Sequence, residues 1–391
     1  AEEETAMAEI KSESRLSFFE ATSIIIGHGV GSGILSVPYL ASRNRWQDLL
    51  WIIPLVYFIN LLMHLMIAEL SLNNGGAQFI KCFRNELFKG KAGKYLTWFA
   101  FAMIGLSVLM NVSGFIAGSA AVFYSWFGMP QRAGMILYYI LAAGVVFIGM
   151  KAVGICEKIS VFGMVGVVGI LFAATMLSPL SPLPASFIAP ANVLALYGMV
   201  SFSLSAVMSV PQVVKGLNGD VKKIRLSIAA GTGVNVLLIL LITFMTLLGA
   251  GTAISENGAL VDLSAHLGGW VSIVGYIFSL LALSTSLWAN TLNLRDIVNE
   301  QTGIGLRPSW LIASLPCLIL AMLGIQSFVG FTRLAGIIQV LTGLAIIAAY
   351  AKSRKKAGAS PIVGKFGTVP FQALVILGSV LATVGSILTV R

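Results

Sequence analysis

Apolar residues in this chain run in long, nearly unbroken stretches, without the alternation that marks a strand or helix with one wet face. A helix needs roughly 20 mostly apolar residues to cross about 30 Å of hydrocarbon. Eleven stretches qualify: residues 17–40, 49–72, 96–126, 133–150, 159–177, 191–214, 224–250, 269–294, 308–323, 328–351 and 368–390. The longest connections, a polar 73–95 and a proline-rich 178–190, leave no room for a soluble domain. The pattern predicts an all-α polytopic membrane protein of 11 transmembrane helices, preceded by a short polar segment at 1–16. That segment is acidic and the apolar run after it is too long for a cleavable signal peptide.

Composition agrees. Of 391 residues, 57% are hydrophobic and 10% charged, against about 25% charged in an ordinary soluble domain. Lipid is therefore the solvent for much of the surface. The net charge of +10 does not indicate nucleic acid, because the basic residues lie between apolar stretches and form no single face. They report topology instead. With the N-terminus cytoplasmic, twenty Lys and Arg fall in cytoplasmic segments and four (Arg43, Arg45, Arg132 and Arg391) outside, with Arg333 near the outer end of the tenth segment. An odd number of segments then puts the C-terminus outside, in a plasma or inner cell membrane. Cys82, Cys156 and Cys317 have no paired spacing and suggest neither disulfides nor a metal site.

Two segments are interrupted near mid-depth. In the first, Gly27-His28-Gly29-Val30-Gly31-Ser32-Gly33 lies ten to sixteen residues past Ser17, about 15–24 Å along a helix. Four glycines in seven residues hold a helix poorly, each costing roughly 1 kcal/mol against alanine; close packing of small residues is the other reading. In the sixth, Ser201-Phe202-Ser203-Leu204-Ser205 precedes Val210-Pro211, where freed backbone groups can find hydroxyl partners. The alternative there is a serine-lined packing face with a proline kink. The two segments correspond if the first ten form two inverted repeats of five, and paired interruptions point to a transporter site. The repeats would be 17–177 and 191–351, with 368–390 an additional helix.

Gly31-Ser32-Gly33-Ile34-Leu35-Ser36-Val37-Pro38-Tyr39 resembles the G-x-G-I-L-x-L-P-Y stretch of the amino acid/auxin permease family. That family belongs to the amino acid–polyamine–organocation superfamily, with the five-plus-five fold of the bacterial leucine transporter. Val200-Ser201-Phe202-Ser203 with Val210-Pro211 is similar to its sixth helix, whereas His28 and Gly29 depart from its pattern. The resemblance implies secondary active transport of an amino acid by alternating access, without covalent chemistry. It implies that the amides of Gly31, Ser32 and Gly33 receive the substrate carboxylate and that oxygens around Ser201, Ser203 and Ser205 receive its ammonium. Phe202 and Leu204 would shape the pocket or its gate, or make ordinary core or lipid contacts. Asn111 and Ser113 are candidate lining residues or interhelical glue. Segments one, two, six and seven would rock against three, four, eight and nine.

For the coupling ion, Ala282, Thr285 and Ser286 on segment eight resemble the sodium-ligand positions of sodium-coupled members of this fold. The remaining ligands map to the carbonyls of Gly27 and Val30. Five neutral oxygens suit a hard cation, giving sodium-coupled symport of a small or medium neutral amino acid as the expected function; back-bonding of the hydroxyls within the helix is the alternative. Proton coupling is the competitor, with His28 the candidate carrier. Lys158, beside Glu157, reads as a solvated charge, and His64 and Glu69 are placed outside the site. A proton-coupled symporter or exchanger and a non-transporting amino acid sensor remain alternatives. A channel lacks a filter or charged ring, and an enzyme lacks a convergent cluster, with histidines only at 28, 64 and 266. The expected partners are the amino acid and the lipid bilayer, with no cofactor beyond the ion.

Overall fold

The computed structural model describes residues 15–185, 189–251, 254–255, 259–326, 328–358 and 361–388. The first fourteen residues and Arg391 lie outside these, as do the side chains of Ser32 and Arg333. Among the described residues, helices follow the expected order of eleven segments, and eight of them, or nine with the bent first pair, are long and apolar enough to cross a membrane. The first is split into α1a (Phe18–Val30) and α1b (Val37–Ser42); α2 (Asp48–Asn73), α3 (Gly93–Phe127), α4 (Gln131–Ile148) and α5 (Met150–Met176) complete the first repeat. The second contains α6a (Pro190–Leu204), α6b (Val210–Gly216), α7 (Val221–Ala250), α8 (Trp270–Thr302), α9 (Leu306–Met322) and α10 (Phe328–Ala357), and α11 (Val369–Ile387) is added after it. Among the described residues the sole β-pairing is an isolated bridge, Arg45 to Ala185. The two broken helices fall in segments one and six, as the sequence predicts.

Several helices run further than their apolar cores. The α5 helix begins at Met150, nine residues before the expected 159, because α4 ends at Ile148 and Gly149 turns the chain at once with φ 134°. Lys151, Glu157 and Lys158 therefore stand on helix and not in a loop. At the far end of α8, Arg295 and Asp296 are likewise helical and buried. Charge interrupts an apolar pattern without interrupting a helix, whose backbone bonds are satisfied internally.

Most charges that the bundle buries are paired. Lys151 meets Glu20 at 2.6 Å, Arg354 meets Glu69 at 3.0 Å, and Asp296 takes both Arg295 at 2.7 Å and Lys215 at 3.3 Å. Lys356 contacts Glu86. These pairs gather at the end of the bundle where α1a and α5 begin and where α2, α6b, α8 and α10 finish. At the opposite end Arg45 meets Asp48 at 2.9 Å. Entry to α1a is fixed by a capping box, with the Ser17 hydroxyl accepting from the Glu20 amide and the Glu20 carboxylate accepting from the Ser17 amide.

Candidate substrate and ion site

The first break opens at Gly31, which leaves helical geometry with φ −24° and ψ −175°. A single 3-10 turn, Ser32–Leu35, then leads into α1b, and the two halves are bent by 52°. The glycines of this run also have packing roles. A methyl group on Gly31 would stand 2.6 Å from Ser286 Oγ, and one on Gly33 would stand 2.6 Å from the Phe202 ring. On Gly29 it would meet the Asn235 amide; on Gly27 it would meet the Glu157 carboxylate and, at 2.8 Å, Thr285 Cβ. Interruption and close packing, set against each other in the sequence, are both satisfied here.

The second break runs from Ser205, in extended geometry, through a 3-10 turn at Val207–Ser209 into α6b. Its freed backbone is held from other helices. The Ala206 amide donates to His64 Nε2 on α2 at 2.9 Å, and Asn293 on α8 donates to the Met208 carbonyl at 2.9 Å. His28 Nδ1 and Ser209 Oγ share a 2.7 Å hydrogen bond that ties one break to the other. His64 is fully buried and does not line the cavity, but it supports the backbone of the second break. Replacing His64 with leucine strands the buried Ala206 amide, a loss of about 1–3 kcal/mol. A lowered thermal unfolding midpoint is expected, milder for His64→Gln, which keeps an acceptor in reach; a leucine variant melting with the wild type removes this role.

A cavity of about 200 Å³ lies between the breaks. His28, Gly29 and Gly31 line it from the first break, and Ser201, Phe202 and Ser205 from the second. Asn111 and Phe115 of α3 and Ser286 and Asn290 of α8 face it, with Ile59, Asn60 and Met63 of α2 on another side. Asn60 donates to Ser201 Oγ at 3.3 Å. Asn290 donates to the Ser286 carbonyl at 2.9 Å, and its own side-chain oxygen is buried without a partner among the described residues.

Some expected positions stand apart from the cavity. Ser203 bonds back to the Met199 carbonyl at 2.8 Å, Leu204 is fully buried in core, and Ser113 returns its hydroxyl to Leu109. Gly33 packs on Phe202 instead of lining the space. Of the ion positions, the Thr285 hydroxyl donates to the Gly27 carbonyl at 2.9 Å and to the Ala282 carbonyl at 3.0 Å, bringing three of the five together. Val30 is buried in the core beside them on α1a. Glu69 is buried and held by Arg354 and, at 3.3 Å, by the Tyr350 hydroxyl. Sequence reasoning missed Asn290, although it follows Ser286 by four residues and so shares its helix face.

Two broken helices flanking a cavity, within two repeats of five, define a membrane transporter of the leucine-transporter fold. The tryptophan/tyrosine permease family matches residues 14–385, and the chain belongs to that family. It is 25% identical over 307 residues to a tyrosine permease of Enterobacter agglomerans, covering 71% of this chain and 72% of that protein. The fold is similar to that of Mhp1, a nucleobase-cation-symport-1 family transporter, in a closed conformation with bromovinylhydantoin bound. That likeness has a TM-score of 0.67 at 12% identity and covers 96% of this chain and 92% of Mhp1.

The expected membership of the amino acid/auxin permease family is thereby corrected. The match to the tryptophan/tyrosine permeases spans nearly the whole chain, whereas the resemblance to the amino acid/auxin permeases rested on short motifs at the two breaks and on the topology. Those residues are constrained by the geometry of the break itself, where small residues admit Ser286 and Phe202, and so they mark a fold more than a family.

Proposed function

We propose that this permease carries an aromatic amino acid across the membrane by alternating access, driven by a coupled cation. The observation that carries the reading is the cavity joining both breaks. It presents polar groups from His28, Asn60, Asn111 and Asn290 beside apolar side chains of Ile59, Met63, Phe115 and Met208. A zwitterion needs the first kind of surface and an aromatic ring the second. The amides at the first break around Gly31 would receive the carboxylate, and oxygens around Ser201 and Ser205 the ammonium. The family and the tyrosine permease relative favour an aromatic side chain over the small or medium one expected from serines and glycines alone. Helices α1, α2, α6 and α7 would move against α3, α4, α8 and α9.

Sodium is the cation for which the oxygens of Gly27, Val30, Ala282, Thr285 and Ser286 are suited, and the contact of Thr285 with Gly27 supports that reading. The test is uptake and counterflow of labelled tyrosine and tryptophan in proteoliposomes, driven by a sodium gradient at constant pH or by a pH gradient without sodium. Saturable counterflow of an aromatic amino acid is expected. Counterflow of serine or alanine but of neither aromatic amino acid would overturn the substrate, and uptake driven by pH alone would overturn sodium.

A further inference from the structure

Six acidic side chains are buried among the described residues: Glu20, Asp48, Glu69, Glu86, Glu157 and Asp296. Five of them meet a lysine or arginine. Glu157 does not. Its side chain is fully buried, and neither carboxylate oxygen has a hydrogen-bond partner among the described residues. An ionised carboxylate without a counter-charge is disfavoured in apolar surroundings, so buried acids are paired, neutralised or bound to a cation.

Its position places it beside the candidate ion site. Glu157 stands two turns into α5 and reaches the face of α1a at Gly27, where a methyl group would collide with its Oε2 and stand 3.0 Å from its Cδ. The same methyl group would stand 2.8 Å from Thr285 Cβ, so α1a, α5 and α8 converge on one point. The Gly27 carbonyl and Thr285 hydroxyl are already joined there at 2.9 Å. Lysine side chains nearby do not supply the missing charge: Lys151 is taken by Glu20 on both oxygens, and Lys158 is set about 100° further round the helix.

We propose that Glu157 is the charged ligand of the coupling site, holding the transported cation together with the Gly27 carbonyl and the Thr285 hydroxyl. A carboxylate makes the site anionic when empty and neutral when filled. The cation then binds α1a to α5 and α8, and its release leaves an uncompensated charge at that junction. Occupancy is thus linked to the position of the first broken helix through charge, which neutral oxygens alone would not achieve.

This inference rests on the cation-coupled transport proposed above, and the experiment separates the two. Wild-type protein and Glu157→Gln, which keeps the shape and removes the charge, are reconstituted into liposomes. Accumulation of labelled tyrosine is measured under a sodium gradient and under a pH gradient, and tyrosine counterflow with no gradient. Whichever gradient drives the wild type, Glu157→Gln is expected to lose at least about tenfold of the accumulation, within the usual span of a coupling between two sites. Counterflow, which needs no gradient, should fall less than accumulation does. Undiminished gradient-driven accumulation in the variant would overturn the assignment, as would equal loss of accumulation and counterflow, which marks a structural role. Glu157→Leu replaces it should the amide not fold. If the wild type carries no tyrosine, the substrate reading fails separately. The cation dependence of the unfolding midpoint, in sodium against choline chloride and at two pH values, then decides. Its loss in the variant supports the charged ligand, and identical dependence in both proteins overturns it.

Discussion

Gly27→Ala is expected to lower gradient-driven amino acid uptake about a hundredfold while the protein still assembles in the membrane. The added methyl group would stand 2.8 Å from Thr285 Cβ and would meet the Glu157 carboxylate. Neither neighbour gives way easily. Thr285 is β-branched and buried, with its hydroxyl already bonded to two carbonyls, and its rotamer is restricted in a helix. Glu157 is fully buried on α5. Overpacking of this kind costs typically 1–3 kcal/mol, and about 2.8 kcal/mol is a hundredfold in an equilibrium. The cost falls on the state in which α1a lies against α5 and α8. A state in which α1a has moved away is spared, so transport suffers more than stability. Uptake within about threefold of wild type would show that α1a does not pack this closely during the cycle.

How much of this was readable in the sequence differs from residue to residue. The first break was legible because four glycines and Pro38 are a local signal, and the sixth because serines alternate before Val210-Pro211. Thr285 comes from the sequence only through the likeness of Ala282, Thr285 and Ser286 to the sodium-ligand positions of related transporters. Glu157 is not legible, because hydropathy ends a span at a charge and so starts the fifth segment after it. Only the tight corner at Gly149 places those charges on helix. The scaffold role of His64 was hidden for another reason. It depends on α2 crossing the second break, a contact 142 residues away in sequence, and no periodicity within α2 encodes that. Family membership was misread because the motif used for it is dictated by local packing against Ser286 and Phe202.

Arg354→Met is expected to lower the stability of the bundle by about 3–5 kcal/mol, the range found when one partner of a buried ion pair is removed. Arg354 on α10 meets Glu69 on α2 at 3.0 Å and donates to the Tyr350 hydroxyl at 2.9 Å and to the Gly364 carbonyl at 2.6 Å. One guanidinium therefore joins the two repeats and the turn leading into α11. The two sides of the pair are unequal: the Arg354 side chain is 14% exposed and that of Glu69 is 0% exposed. Removing the arginine leaves the wholly buried carboxylate with neutral donors alone, the Tyr350 hydroxyl and the Val363 amide. Removing the acid leaves a guanidinium that keeps Gly364, Tyr350 and some access to solvent. Glu69→Gln should accordingly destabilise less than Arg354→Met, and combining them should recover much of the loss, since the uncompensated charge is then gone. Thermal unfolding midpoints of the three variants in detergent check the order. Additive losses in the double variant would show that the two side chains act independently and that the contact does not hold α2 to α10.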